Sequence, residues 1–373
     1  MPGAVGGSEV YARSLLRETA RLEPGLEMVV YCGREAVDSL RAEPFGARSE
    51  FHVSPAPSQN KPARVAAELT WLPWRARRDR LELLHSMGTT SPPLCPVPSV
   101  VTVLDVIYHH YPETFARMAQ LGLRLVVPAG ARRASKVVAI SEAGKREVSA
   151  TLGIDPGRIE AIHLGFGFGG EEAQATPEGE LRARHGLSDA PLMLTVSSAL
   201  RHKNLDRLLK AFARLEGTEA RLVVVGHAGR DQHALRAHAT TLGLGERVIF
   251  TGWVADADLE GFYAAANVFV YPTLMEGFGM PVLEAMRREV PVACSNVSAL
   301  PEVAGDAAEY FDPYDVESIA AALRRLLEGP ERRAELVARG REQWRRFTWE
   351  DTARKTLAVY REVLGPAPVA SPR

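Results

Sequence analysis

The sequence predicts an α/β protein of two domains, and three observations carry that reading. Short apolar runs alternate along the chain with amphipathic segments of helical period. Alternation of this kind argues for parallel sheets covered by helices on both faces. The length, 373 residues, accommodates two or so domains of roughly 100–200 residues each. A glycine cluster followed by a polar, acidic stretch containing Pro177 interrupts the pattern over residues 165–185. The interdomain linker belongs there, with an N-terminal domain over 1–165 and a C-terminal domain over 166–346.

Each element rests on a local signal. Strands are expected at Met28–Tyr31, Val100–Leu104, Lys136–Ile140, Leu192–Ser197, Leu222–Val225, Val248–Thr251 and Val268–Tyr271, all short and rich in β-branched or apolar residues. The helix Asn204–Leu215 sets Leu205, Leu208, Leu209, Phe212 and Leu215 three and four apart, one apolar stripe, with Asn204 as its cap. The segment 347–364 reads as a helix capped by Thr348. Residues 366–373 read as a disordered tail.

Composition excludes several classes of function. A net charge of −1 provides no global basic field to recruit nucleic acid. Cys32, Cys95 and Cys294 lie far apart without metal-ligand spacing, and read as reduced, small hydrophobes. No apolar run approaches the roughly 18–20 residues that span a bilayer, and the N-terminus lacks the order of a signal peptide. A cytoplasmic enzyme is the expectation. The patch Trp71-Leu-Pro-Trp-Arg-Ala-Arg-Arg-Asp-Arg80 leaves two readings open: peripheral contact with an anionic inner-membrane surface, or an ordinary surface helix with anchoring aromatics, the more frequent case.

The most informative stretch is Val268-Phe-Val-Tyr-Pro-Thr-Leu-Met-Glu-Gly-Phe-Gly-Met-Pro-Val-Leu-Glu284. It reads as a buried strand, a loop carrying Glu276, and a helix opening at Pro281 with Glu284 in its first turn. Proline there lacks only a donor that would be unpaired anyway, and the neighbouring N–H groups form an anion seat. Gly277 and Gly279 let a ligand approach the backbone. Carboxylates accept paired hydrogen bonds from sugar diols but repel phosphate. Two of them flanking an anion seat suit a diphosphate with hydroxylated rings at both ends, a nucleotide sugar. A lone first-turn Glu would be explained by the helix dipole; the second Glu, two glycines and a proline in one register would not.

Arg201-His-Lys-Asn204 lies between an expected strand and helix, where open α/β sheets bind ligands. On an exposed loop, Arg201 and Lys203 would offer a fork and a point charge to the diphosphate. Two literal matches carry less. Gly165-Phe-Gly-Phe-Gly-Gly170 satisfies G-x-G-x-x-G, but no apolar stripe follows it, as a dinucleotide site needs. Asp256-Ala-Asp258 precedes a helical segment and reads as an N-cap. No divalent metal and no cofactor are expected.

Glu276-Gly-Phe-Gly-Met-Pro-Val-Leu-Glu284 resembles the E-x7-E signature of retaining glycosyltransferases of family 4. The resemblance implies a GT-B fold, two Rossmann-like domains facing across a cleft, with the 347–364 helix crossing back onto the first. It implies that Glu276 holds donor sugar hydroxyls, Glu284 the ribose diol, and Arg201 and Lys203 the diphosphate. The backbone and side chains of Gly277, Phe278, Gly279, Met280, Pro281, Val282 and Leu283 would complete the donor seat. Further family-like positions are Gly6 and Gly7 before the first helix, Gly226 at a strand end, and Val254 in a turn near the nucleobase. His85 in Leu84–Gly88, Asp105, and Ser141 in Ala139–Lys145 would face the acceptor, a sugar-containing or lipid-linked molecule.

The chain departs from the family pattern twice. Leu104 stands where a Thr-Ile-His-Asp segment carries its histidine. The family's central strand before the glycine loop is absent, so either Met1 is not the natural start or the first sheet lacks a middle strand. The expected activity is transfer of a sugar from a nucleotide sugar with retention at the anomeric carbon. Two alternatives stay open: a silent nucleotide-sugar-binding subunit of a transferase complex, and a nucleotide-sugar epimerase of the same fold.

Overall fold

The computed structural model describes residues 7–57, 60–167, 173–229 and 231–365. Gly6, residues 168–172 of the glycine cluster and the 366–373 tail lie outside them. The chain divides into two compact units, Met1–Gly167 with Phe347–Arg373, and Phe168–Arg346.

The first unit holds β1 (Met28–Cys32), β2 (Ser49–Val53), β3 (Leu84–Ser86), β4 (Ser99–Val103), β5 (Lys136–Ala139) and β6 (Ile159–Ala161). All pair in parallel, as β1-β2 and as β3-β4-β5-β6. Val100, Val101 and Val103 of β4 are fully buried, because a parallel strand is covered on both faces, and the buried Thr102 between them is satisfied by the Tyr11 hydroxyl at 2.8 Å. Among the described residues β1 and β3 pair only outward. Between them lies a cavity of about 930 Å³, lined by Leu15, Val30, Cys32, Leu84, Ser86 and Leu104 among others. It sits where a middle strand of the sheet would run. The helix Trp349–Leu364 packs against the helix Gly7–Leu22, with the Tyr11 and Trp349 rings 6.4 Å apart. Thr348 caps it, accepting from the Asp351 N–H at 3.1 Å. A Cβ on Gly165 would stand 2.2 Å from the Trp349 nitrogen, so glycine is required at that crossing.

The second unit holds β7 (Leu192–Val196), β8 (Arg221–Val225), β9 (Val248–Gly252), β10 (Val268–Tyr271), β11 (Val292–Ser295) and β12 (Ala308–Phe311). Its six strands run parallel in the order β12-β11-β10-β7-β8-β9. The chain winds outward from β7 through β8 and β9, returns to β10 on the other side of β7, and winds outward again. The order therefore reverses between β7 and β10, the point beside which ligands bind in open α/β sheets. The helix Leu205–Ala213 buries Leu205, Leu208, Leu209 and Phe212, with Leu215 just beyond, all at 3% exposure or less.

Four details differ from the sequence reading. β2, β3, β11 and β12 were not among the expected strands. Asn204 sits at the helix N-cap position but makes no capping bond. The first turn of the helix Asp256–Ala265 is also uncapped by side chains; Asp258 instead accepts from Thr176 at 2.6 Å and from Arg184 at 2.6 and 2.7 Å. In the Trp71–Arg80 patch, Trp71 packs edge-on against Tyr31 at 5.7 Å, and Arg75 pairs with Asp79 at 2.8 Å.

Candidate functional site

The site begins where β7 and β10 end. After β7 the chain makes a single tight turn, Arg201–Lys203, and Asn204 then takes a left-handed φ of +57°, which asparagine tolerates. The buried Asn204 amide donates to the Pro272 carbonyl at 3.0 Å and to the Pro313 carbonyl at 2.8 Å. The Leu274 N–H and the Thr273 hydroxyl both donate to the His202 carbonyl, at 2.7 and 3.0 Å. These bonds splice the loop after β7 onto the loop after β10.

The splice brings Lys203 to Glu276. The Lys203 ammonium lies 2.5 Å from Glu276 Oε1, the Tyr271 hydroxyl donates to the same oxygen at 2.8 Å, and Lys203 is 3.2 Å from that hydroxyl. The Lys203 and Glu276 side chains are only 15% and 12% exposed. Burial alone would raise the Glu276 carboxyl, but the Lys203 charge and the two hydrogen bonds outweigh it, and the net shift is downward. Glu276 is thus held as a carboxylate. Arg201 is exposed as expected; Lys203 is not, because its partner lies on the neighbouring strand's loop.

The second carboxylate stands on the helix Met280–Arg287, which opens one residue before Pro281. Gly279 precedes it at φ +110°, and a Cβ there would come within 2.5 Å of Leu300 Cδ2. Phe278, Val282 and Leu283 turn into the core at 3%, 0% and 0% exposure, so these three anchor the helix start while Met280 and Pro281 are half-buried. Glu284 Oε2 accepts from the Tyr263 hydroxyl at 3.0 Å. Arg288 stacks 4.5 Å over the Tyr263 ring and pairs with Glu260. Burial pushes the Glu284 carboxyl up, and the Arg288 charge and Tyr263 bond only partly offset it. The two carboxylates therefore shift in opposite directions.

Gly226 follows β8 at φ +146°, where a Cβ would meet the Ser197 carbonyl at 2.2 Å; the strand ends close together only because it has none. Val254 is half-buried in the turn after β9, next to the exposed Trp253. In the first unit Gly7 opens its helix. His85 lies in β3. Its ring nitrogens meet the Tyr360 hydroxyl at 2.6 Å and the Thr102 hydroxyl at 2.8 Å. Burial lowers its pKa to about 3, so the ring is neutral. Asp105 accepts from the Ile107 N–H at 2.9 Å, and Ser141 caps the helix Glu142–Leu152 through the Gly144 N–H at 2.8 Å. Each of these three has a framework task. Tyr263 and Tyr271 were missed by sequence reasoning, although a signal existed: they stand eight residues apart, as do Glu276 and Glu284.

Residues 178–343 match the family described as Glycosyl transferases group 1, and residues 5–166 match Glycosyltransferase Family 4. O-antigen chain mannosyltransferase B of Escherichia coli is 42% identical over 163 residues, 43% of this chain and 42% of that protein. A D-inositol 3-phosphate glycosyltransferase of Nocardioides sp. is 33% identical over 269 residues, 67% of this chain and 57% of its own length. The chain thus spans about half the length of the curated relatives it matches. A crystal structure of Anabaena HepE in complex with UDP and glucose is similar over 97% of this chain and 98% of that one, with a TM-score of 0.73 at 18% identity. Two α/β units built on parallel strands, a doubly wound sheet in the second, and these matches over nearly the whole sequence place the chain in glycosyltransferase family 4, with the GT-B fold.

Proposed function

We propose that the second unit binds a nucleoside diphosphate sugar at the β7/β10 switch point and that the chain transfers the sugar with retention of anomeric configuration. The observation that carries this reading is the Lys203–Glu276–Tyr271 cluster beside a glycine-opened helix bearing Glu284. In this assignment Lys203 and the exposed Arg201 hold the diphosphate, whose charge grows as it departs. Glu276, kept ionised, accepts from hydroxyls of the donor sugar, and Glu284 accepts from the ribose diol.

The step needs no carboxylate nucleophile. The bond from the anomeric carbon to the β-phosphate oxygen breaks while the acceptor oxygen bonds to that carbon on the same face. The acceptor proton passes to the departing phosphate oxygen. The similarity to a mannosyltransferase of O-antigen synthesis supports a hexosyl donor and a glycan or lipid-linked acceptor, with GDP-mannose the first donor to test. Thermal shift against UDP- and GDP-sugars should show one series raising the melting temperature, because ligands that bind only the folded state stabilise it. NMR of the product then reads the anomer; an inverted linkage overturns retention. Leu104 supports a second reading, a donor-binding subunit without turnover. Donor binding without transfer or hydrolysis by the isolated chain would select it.

A further inference from the structure

Ser298, in the turn that follows β11, holds a left-handed φ of +59°. That conformation is uncommon outside glycine and asparagine, and such strain persists only where the surroundings impose it. Here the surroundings are Glu276. Its N–H donates to the Ser298 hydroxyl at 3.1 Å, and that hydroxyl donates to the Glu276 carbonyl at 2.8 Å. A single oxygen closes both backbone groups of one residue, which requires a group that donates and accepts. The turn is itself anchored. The Asn296 N–H donates to the Phe311 carbonyl at 2.9 Å, and Ala299 and Leu300 are fully buried. Leu300 is also the side chain that crowds Gly279. The 298–300 stretch thus meets both the first and the last residue of the Glu276–Gly279 loop.

We propose that Ser298 is a positioning residue, fixing the Glu276 backbone so that the carboxylate meets the hydroxyls of the donor sugar. This rests on the donor assignment above. Lys203 and Tyr271 both bond to Oε1, so they pin the tip of the side chain and leave the backbone that carries it free to turn. The Ser298 clasp removes that freedom. The loop after β11 thereby joins those after β7 and β10 as a third element of the site, and serine is retained where glycine would be less strained.

The test is calorimetric titration of the full chain with GDP-mannose, GDP, UDP-glucose and UDP, which gives the preference for a nucleotide sugar over its own diphosphate. S298G relieves the strain and removes the clasp. It should lower that preference about fivefold or more, leave diphosphate affinity unchanged, and melt within about 4 °C of wild type. E276Q should lower the same preference, and S298G/E276Q should lose no more than E276Q alone, because both act through one carboxylate. S298T shows the opposite pattern. Thr89 already holds φ +70° in this chain, so S298T should melt lower yet keep the preference. If S298G does not fold, S298A reads the same loss with the strain left in place. Wild-type preference in S298G beside a loss in E276Q overturns the proposal. So do equal losses for sugar and diphosphate, additive losses in the double variant, or a lost preference in S298T. If E276Q keeps the wild-type preference, or wild type has none, the donor assignment itself falls and the proposal with it.

Discussion

Replacing Glu284 separates its binding role from its structural one. Glu284→Gln keeps an acceptor for the Tyr263 hydroxyl, now 3.0 Å away, and removes only the charge. Charge-assisted hydrogen bonds contribute about 1.5–3 kcal/mol and neutral ones about 0.5–1.5 kcal/mol. The loss at a ribose diol is then about 1–1.5 kcal/mol, a roughly five- to tenfold rise in Kd. Glu284→Ala should lose the full charge-assisted bond, about 1.5–3 kcal/mol or roughly ten- to 150-fold. It also strands the buried Tyr263 hydroxyl, at about 1–3 kcal/mol of stability. Calorimetric titration with UDP and GDP, alongside urea melts, reads both quantities. Stability should carry a pH signature as well. Burial raises the Glu284 pKa in the folded state, so its contribution is greatest below the unfolded carboxyl value. That contribution is lost as pH rises through the folded value. Glu284→Gln should flatten this slope. Unchanged affinity in both variants would remove Glu284 from the donor site.

Lys203→Ala should destabilise by about 3–5 kcal/mol, because it leaves the buried Glu276 carboxylate without its cation, and Lys203→Met/Glu276→Gln should recover at least half of that in urea melts; additive losses would mean the pair is not coupled. Arg201→Ala, on the exposed turn, should leave stability within about 0.5 kcal/mol while turnover falls; equal turnover would place Arg201 outside the site. Gly279→Ala should cost about 1–3 kcal/mol, because φ +110° and the 2.5 Å approach to Leu300 must both be accommodated; a melting temperature equal to wild type would refute the constraint. A five-residue β-branched segment fused through a short linker ahead of residue 1 should fill the cavity between β1 and β3 and raise the melting temperature by several degrees; no change would mean those strand edges accept no partner.

The doubly wound half was legible because its strands announce themselves. Val268-Phe-Val-Tyr271 is continuous and apolar, and Leu205–Leu215 carries one stripe, so both were bounded to within two residues. β2 was hidden by Glu50 and His52, which an edge-proximal strand tolerates and a central one does not. β12 was hidden by Glu309, acceptable there only because Arg325 and Arg332 reach it at 2.7 and 2.9 Å. Asn204 was misread for a related reason. Its carbonyl partners lie 68 and 109 residues away, and no local propensity reports on such bonds. Lys203 looked solvated because its immediate neighbours are polar. What buries it is Glu276 and Tyr271, contributed by a strand that becomes adjacent only through the sheet order. The E-x7-E spacing was visible in the sequence; the tyrosines that hold each carboxylate became interpretable only once β10 and the Asp256–Ala265 helix were placed.

The ion pair at the switch point bears on selectivity under the proposed donor assignment. With no ligand, Lys203 and Glu276 satisfy each other at 2.5 Å in a nearly buried setting. A free phosphate approaching Lys203 offers the ammonium a new partner but gives Glu276 none, and a buried carboxylate deprived of its cation is strongly destabilising. A nucleoside diphosphate meets the same objection. A nucleotide sugar does not, because its diphosphate engages Lys203 while its sugar hydroxyls donate to Glu276, so both halves of the pair are satisfied at once. Tyr271 remains on Glu276 throughout and holds it in place during the exchange. Glu284, held by Tyr263 and shifted the opposite way by burial, gains from any diol that brings it two donors. The closed pair thus acts as a filter that rewards the complete donor over its leaving group, which is the discrimination a transferase needs in order to release its spent nucleotide.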